Sequence, residues 1–246
     1  MRPAFSALLR ATALSGAILL TGGLEGPSQA QCGPDALGVS RTLMLTAESP
    51  PPYDLLEPGE VILTFDDGPA TFRTKRVMKA LDQECTRATF FLLGNEAEVR
   101  PGLAKDIREA GHTVGSHSLD HARLTNLSLA AAVENAEAGK TAVEAAIGQP
   151  TPLFRFPYVA TNPELSQAIR AAGMIEVAVT ADGADWTYNT PEEAVEMILA
   201  KLEQHGRRGM VLLHDPQENS AARTRLLLQE LKEQGYRVVA LEQPEG

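Results

Sequence analysis

Residues 61–69 read VILTFDDGP, an apolar run that ends abruptly in two acids, a glycine and a proline. The uninterrupted run before Asp66 is typical of a strand that is buried on both faces, as in a parallel sheet. Two adjacent carboxylates at the end of such a strand repel each other unless a proton, a cation or a hydrogen-bond network separates their roles. The stretch therefore predicts a buried strand and a chemical site at its carboxyl end.

Further apolar runs alternate with helix-length segments along the rest of the chain. The runs are 88–93, 113–116, 153–156, 175–180, 210–213 and 237–241, and the predicted helices are 74–84, 101–110, 128–147, 162–173, 190–206 and 220–234. Asn162 and Thr190 are candidate N-caps, each followed by a proline suited to the first turn. This alternation predicts a parallel α/β fold, either closed as a barrel or open and doubly wound.

Residues 1–30 have the layout of a secretory signal peptide. Arg2 and Arg10 precede an apolar stretch over about 11–24, and Ser28 to Ala30 offer small residues for cleavage. The apolar stretch is shorter than the roughly 20 residues that span a bilayer. We therefore expect export to the periplasm or the medium without a stable membrane span. The chain after the signal is expected to form an irregular lead-in over 31–60 and then one α/β domain over 61–246.

Net charge argues against one class of binding partner, and the two cysteines argue for a disulfide. The chain carries 22 basic and 32 acidic residues, a net charge of −10, which makes nucleic acid a poor candidate. Cys32 and Cys85 both follow the predicted signal, so we expect a disulfide between them, with two free thiols as the alternative. A structural zinc site needs more cysteines than this chain has. We expect a monomer.

Polar residues cluster where five of the predicted strands end. The carboxyl ends of parallel strands meet at one edge of an α/β sheet, where such folds build their sites. The residues at these ends are Asp66, Asp67, His117, His121, Arg155, Tyr158, Asp182, Asp185, Trp186, His214 and Asp215. We therefore expect these side chains to meet in one site.

The segment HSLDH at 117–121 places two histidines four residues apart. On one face of a helical turn, His117 and His121 could share a divalent cation, and Asp67 would complete a three-ligand site. Asp66 would then stay free to take a proton from water, so the cation separates the two acids. Three protein ligands leave one position open, as in catalytic zinc sites. We expect one divalent ion, with zinc ahead of cobalt or another divalent metal.

Five motifs together resemble those of the NodB-homology polysaccharide deacetylases, which form carbohydrate esterase family 4. They are TFDDGP at 64–69, HSLDH at 117–121, RFPY at 155–158, DGADW at 182–186 and LLH at 212–214. The resemblance runs from about 61 to 239. It implies a hydrolase that removes acetyl groups from N-acetylated sugars of a cell-wall or exported polysaccharide. The expected fold is a distorted (β/α) barrel of about seven parallel strands with surrounding helices.

The resemblance implies roles for the residues around the two aspartates. Asp66 matches the family's general base, and Arg155 matches the arginine that holds this base in place. Asp67, His117 and His121 match its metal ligands. An arginine beside Asp66 would keep that carboxylate ionised.

Other matching residues would act on the acetyl group and the leaving amine. His214 matches the general acid, and Asp185 matches its orienting partner. The backbone N–H of Tyr158 matches the donor that stabilises the oxyanion. Trp186 and Leu212 match the walls of the acetyl pocket.

The chain departs from the family pattern at Val159, where the family usually has glycine. A β-branched residue restricts the backbone. Either the loop therefore takes an ordinary extended conformation, or the oxyanion donor is slightly re-aimed. The pattern does not decide the role of Asp182, which either supports the site or is purely structural.

Three other functions stay open. An esterase for O-acetyl groups, as on xylan, would use the same motifs because amide and ester share a tetrahedral intermediate. A glycan-binding homologue with weak catalysis would share the fold. Non-haem iron oxygenases also bind metal with two histidines and a carboxylate, but the acid that they place two residues after the first histidine is Leu119 here.

Overall fold

The computed structural model describes residues 32–187 and 190–242, so the predicted signal peptide lies outside the described residues. The strands are β1 (Arg41–Met44), β2 (Glu60–Gly68), β3 (Thr89–Leu92), β4 (Thr113–Ser116), β5 (Leu153–Phe154), β6 (Ile175–Glu176), β7 (Ala181–Asp182), β8 (Gly209–His214) and β9 (Arg237–Glu242). The helices are α1 (Thr71–Gln83), α2 (Gly94–Val99), α3 (Pro101–Glu109), α4 (Leu129–Ile147), α5 (Pro163–Ala171), α6 (Pro191–Gln204) and α7 (Ser220–Glu233).

Seven strands follow one another around a barrel in the order β7-β8-β2-β3-β4-β5-β6, and all of their pairings are parallel. Within the described ranges β6 and β7 do not pair with each other. Residues 177–180, which we call the seam, cross this gap. The Val177 N–H donates to Phe154 O at 2.8 Å, and the Thr180 N–H donates to Met210 O at 3.2 Å. The architecture confirms the predicted distorted (β/α) barrel of about seven parallel strands.

The seam also corrects one predicted strand. Residues 175–180 were expected to form a single strand, but they divide into β6, which pairs with β5, and a crossing to β7, which pairs with β8. The apolar run is continuous in sequence, whereas its backbone changes partners. Helix α2 was not predicted either, because a six-residue helix is too short to show a clear period.

Two strands lie outside the barrel. β9 pairs with the start of β2, and β1 pairs with β9 through the register from Arg41↔Val239 to Met44↔Glu242. The lead-in is therefore not irregular throughout, since β1 falls within it. The Cys32–Cys85 disulfide, with Cα atoms 5.9 Å apart, ties this lead-in to the residues just after α1.

Side chains of β2 alternate between two apolar clusters. Val61, Leu63 and Phe65 pack against residues of α1 and α7, whereas Ile62 packs with residues from the neighbouring strands. By the same two-residue period, Thr64 and Asp66 point with Ile62 into the barrel. The predicted N-caps are confirmed, because the Asn162 side chain accepts from Leu165 N–H and Thr190 forms a capping box with Glu193.

Candidate active site

The end of β2 explains how two adjacent aspartates reach one site. Asp66 is 2% exposed and faces the barrel interior. The pairing of β2 with β3 shifts register between Asp66 and Gly68, and Asp67 has a φ of 72°. Such a bulge re-aims a side chain that regular alternation would send to the opposite face. Asp67 therefore lies near Asp66 instead of on the helical side of the sheet.

The turn at 117–121 brings its histidines together by a different geometry from the predicted one. It is not helical, and Ser118 and His121 adopt left-handed φ values of 71° and 62°. The turn rests on α4, where a Cβ at Gly139 would lie 2.2 Å from the carbonyl carbon of Ser118. Gly94 and Asn95 N–H donate to the carbonyls of Ser118 and Leu119, both at 2.9 Å. The surrounding backbone therefore fixes the turn from two sides.

Asp67, His117 and His121 converge so that their ligand atoms all lie within 4.8 Å of one another. Asp67 Oδ1 is 3.5 Å from His117 Nε2 and 3.3 Å from His121 Nε2. Although this oxygen is buried, it has no hydrogen-bond partner among residues 32–187 and 190–242. A buried acceptor without a donor costs free energy, and a cation would remove that cost.

The protonation of His117 fits the same interpretation. Its Nδ1 lies 2.9 Å from Arg155 O, which can only accept, so Nδ1 carries the proton and Nε2 keeps its lone pair. Burial lowers the pKa of His117 and outweighs the nearby carboxylates, which keeps the ring neutral. One carboxylate oxygen and two imidazole nitrogens therefore form a donor set that fits a divalent ion such as zinc.

Arg155 is fully enclosed in the barrel, with its guanidinium 4.2 Å from the ring centroid of Phe91. Its Nη1 donates to Asp66 Oδ1 at 2.8 Å and to Thr64 Oγ1 at 2.6 Å. Its Nε and Nη2 donate to the seam carbonyls of Val177 and Ala178 at 3.1 and 3.2 Å. One side chain thus fixes Asp66 and joins it to the seam.

His214 lies opposite Asp66 in the register of β8 with β2. Its Nδ1 is 2.7 Å from Asp185 Oδ1, and its backbone N–H donates to Asp185 Oδ2 at 3.1 Å. Its Nε2 is 4.0 Å from Asp67 Oδ2. Burial alone would lower the pKa of His214, but the bond to Asp185 and the surrounding carboxylates raise it to about 9. The arrangement suits a proton donor that faces the two aspartates.

Tyr158 lies at the mouth of the site, with its ring 4.4 Å from that of His121. Its backbone N–H has no hydrogen-bond acceptor within the described ranges. Tyr158 and Val159 have φ values of 60° and 52°. An extended conformation at Val159, one of the two alternatives, is therefore wrong, because the valine adopts the left-handed backbone that glycine adopts easily.

The remaining predicted residues lie around His214. Trp186 is half exposed, with its ring edge-on to the His214 ring at 5.0 Å, and Leu212 is buried on β8. Asp182 Oδ1 accepts from Ala184 N–H at 2.7 Å, which closes the turn that leads to Asp185. Asp182 therefore has a structural role in this turn.

The sequence interpretation missed residues that support this site. Arg223 of α7 is buried, with Nη1 3.8 Å from Asp185 Oδ2. Its spacing from Leu227 and Leu231 puts it on the buried face of α7, and a charge on an apolar face was an available signal.

Asp215 was noted in the sequence without a role. It is fully buried, shares a hydrogen bond with Thr74, and would lie 2.6 Å from a Cβ at Gly68. Burial raises its pKa to about 7. Asp215 therefore packs directly beneath the turn that carries the two aspartates.

Comparisons with known proteins agree with this geometry. A family model described as polysaccharide deacetylase matches residues 56–177, which include both aspartates, both histidines of the turn, Arg155 and Tyr158. A peptidoglycan-N-acetylglucosamine deacetylase of Listeria monocytogenes is 34% identical over 186 residues, which are 76% of this chain and 39% of that relative. This chain thus spans well under half the length of that relative.

Two further relatives cover more of their own length. A peptidoglycan-N-acetylglucosamine deacetylase of Bacillus cereus is 32% identical over 74% of this chain and 85% of its own. The solved structure of a carbohydrate esterase family 4 pseudoenzyme from Bacillus anthracis superposes with a TM-score of 0.69, at 26% identity over 74% of this chain and 64% of its own. The chain therefore belongs to the polysaccharide deacetylase family, carbohydrate esterase family 4.

Proposed function

We propose that this chain is a metal-dependent hydrolase that removes acetyl groups from N-acetylated sugars, of the N-acetylglucosamine type, in a cell-wall or exported polysaccharide. Family membership alone does not carry the proposal, because a pseudoenzyme shares the fold. The observation that carries it is the complete set of groups at one mouth of the barrel. A base candidate held by Arg155 lies beside the three ligand candidates and faces His214, which is held by Asp185.

The proposed metal ligands are Asp67, His117 and His121. A divalent ion held there supplies a Lewis acid and favours deprotonation of a nearby water. Asp66 accepts the proton as that water adds to the acetyl carbon, and the hydrogen bond from Arg155 holds Asp66 in position. Separate partners for the two carboxylates thus give them separate roles.

The other residues act on the carbonyl oxygen and the nitrogen. The free N–H of Tyr158 donates to the carbonyl oxygen as negative charge develops on it. His214, oriented by Asp185, donates a proton to the sugar nitrogen as the carbon–nitrogen bond breaks, and acetate and a free amine result. Trp186 and Leu212 enclose the methyl group of the acetyl.

Acetate release tests the proposal directly. Chitin oligomers, peptidoglycan and acetylated xylan form the substrate panel. We expect release from N-acetylated substrates, loss of release after exhaustive chelation, and recovery with zinc or cobalt. Release only from acetylated xylan would instead identify an O-acetyl esterase. No release from any substrate, or full activity after chelation, would contradict the proposal.

A matched pair of histidine variants distinguishes the loss of a metal ligand from a general effect of replacing histidine with alanine. His121→Ala should lower both metal content and turnover, because it removes one of three ligands. His205→Ala should change neither, because His205 is exposed at the end of α6. Equal loss in both variants would mean that the effect of His121→Ala is not local.

We further propose that residues 1–30 are a cleaved signal, that 31–60 are a lead-in, that 61–246 are the catalytic domain, and that the mature monomer is periplasmic or secreted. The apolar, basic layout of 1–30 supports export, and so does the disulfide, which needs an oxidising compartment. No helix in the described part of the chain is long and apolar enough to cross a membrane. N-terminal sequencing and size-exclusion chromatography of the exported protein test these points.

A further inference from the structure

The loop that carries Tyr158 is held in an unfavourable backbone conformation. Tyr158 and Val159 are consecutive left-handed residues, with φ values of 60° and 52°, and a β-branched side chain is an outlier there. Both are largely exposed, at 54% and 45%, so burial does not hold them. Such a conformation persists only where surrounding contacts over-determine it.

Backbone hydrogen bonds account for part of this constraint. The Val159 N–H donates to Phe156 O at 3.0 Å, and the Ala160 N–H donates to Pro157 O at 3.1 Å. These bonds close two overlapping turns around Tyr158, whose backbone is non-helical with φ 60° and ψ 12°. Both bonds span Tyr158 without using its own N–H, and neither fixes its side chain, so the position of the ring depends on other contacts.

The Tyr158 ring contacts two side chains of the segment that follows β4. His121 lies against it with ring centroids 4.4 Å apart, and the guanidinium carbon of Arg123 lies 4.2 Å from its centroid. A guanidinium at this distance attracts an aromatic face. Arg123 is exposed and forms no ion pair within residues 32–187 and 190–242, so no carboxylate there competes with the ring for its guanidinium.

We infer that Arg123 is a positioning residue: it clamps the Tyr158 ring against His121 and so holds Tyr158 and Val159 in the conformation that leaves the Tyr158 N–H free. The inference rests on the proposed role of that N–H in turnover. It also explains how valine is tolerated where glycine would take the same backbone without strain. The clamp supplies a constraint that glycine would not need.

A double-mutant cycle tests the clamp. Arg123→Gln should lower kcat by about three- to tenfold, with KM changed by less than about twofold, because the loop spends less time in the productive conformation. The same substitution in the Val159→Gly variant should lower kcat by less than about twofold, because glycine removes the strain. Arg123→Lys, which keeps the charge and loses the planar group, should fall between wild type and Arg123→Gln.

Hydrogen exchange of backbone amides tests the clamp independently of enzyme activity. Arg123→Gln should speed exchange of the Val159 and Ala160 amides, and this effect should shrink in the Val159→Gly variant. Arg76→Gln is the matched control, because its guanidinium lies 5.1 Å from the ring of Phe72 on α1, and it should change neither amide nor kcat.

Each contrary result is distinct. Unchanged exchange in Arg123→Gln would overturn the clamp, and so would an equal loss of kcat with and without Val159→Gly. A rise in KM at constant kcat would instead make Arg123 a substrate contact. An inactive wild type whose two amides still respond as expected would overturn the proposed function and leave the clamp standing.

Discussion

Two halves of the barrel build the site in different ways. β2, β3, β4 and β8, which we call the long-strand side, have nine, four, four and six residues. β5, β6 and β7, the short-strand side, have two residues each. On the long-strand side, ladder pairing runs up to the site residues themselves, as in the register of Asp66 with His214. On the short-strand side, side-chain contacts position the site residues.

The difference shows which positions the backbone determines. Asp66 and His214 are placed by strand register. Tyr158 instead depends on local turns and on contacts of its ring, and Asp185 depends on a turn closed by Asp182 and on Arg223. Substitutions on the long-strand side should therefore change chemistry without changing shape, whereas those on the short-strand side should also alter the positions of neighbouring groups.

The largest expected effect is on the long-strand side. Asp66→Asn should lower kcat by roughly 10²–10⁴-fold while metal content is retained, because an amide cannot accept the proton from water. Asp67→Asn should instead weaken metal binding, because a neutral oxygen is a poorer ligand than a carboxylate. Metal analysis and acetate release, measured on both variants, check this. Loss of metal in Asp66→Asn with full retention in Asp67→Asn would reverse the two roles.

The next effect is on the short-strand side and concerns stability as well as turnover. Arg155→Met should lower the free energy of unfolding by about 3–5 kcal/mol, because it leaves Asp66 buried without its cation and frees the seam carbonyls. Urea unfolding measures the change. Arg155→Lys keeps the charge without the fork and should recover part of the stability. If Arg155→Met were as stable as wild type, the seam would not depend on this side chain.

On the long-strand side, far from the site, a buried histidine makes the stability of the fold depend on pH. His112, just before β4, is buried, and its Nδ1 lies 3.3 Å from Ala88 N as an acceptor. Burial, with a smaller effect from Arg87, lowers the pKa of His112 to about 4. The unfolded chain, with a histidine pKa near 6.5, then binds more protons than the folded chain between these values. The contribution of His112 to the free energy of unfolding is therefore fully present above about pH 6.5. It is lost as the pH falls towards 4, a decrease of roughly 3 kcal/mol.

The His112→Gln variant isolates this contribution. Glutamine keeps a hydrogen-bond acceptor but does not titrate, so its stability should fall less than that of wild type between pH 6.5 and 4. Urea unfolding at several pH values in this range gives the two profiles. Parallel profiles would show that His112 does not control the acid sensitivity.

The smallest expected effect concerns the strained loop. Val159→Gly should raise the free energy of unfolding by up to about 1 kcal/mol, because glycine takes a positive φ without strain. It should leave kcat within about twofold of wild type as long as Arg123 is present. Thermal unfolding and acetate release measure both. Val99→Gly is the matched control at an exposed valine of α2, and it should be destabilising. Destabilisation by both substitutions would argue against strain at Val159.

The contrast between the two sides also explains what could be predicted from sequence. The run VILTF and the acids after it follow the two-residue period of a buried strand, so β2 and the position of Asp66 could be predicted. The motif pattern likewise brought His117, His121, Arg155 and His214 to one place.

What could not be predicted depends on backbone that leaves regular structure. The bulge at Asp67 and the left-handed residues at Ser118, His121 and Val159 have no periodic signal, and the expected helical turn at 117–121 was wrong for this reason. The split of 175–180 between two strands was also hidden, because an apolar run does not show which neighbour it pairs with. Contacts such as Arg123 with Tyr158 depend on these irregular segments meeting.

The guanidinium of Arg155 couples the integrity of the barrel wall to the state of the proposed base. It donates to Asp66 and, at the same time, to two carbonyls of the only stretch of the described barrel wall that lacks strand pairing across it. A fluctuation that opens the seam withdraws acceptors from Arg155 and loosens its hold on Asp66. Heating should therefore inactivate the site through local opening of the seam, at a temperature below that at which the rest of the barrel unfolds.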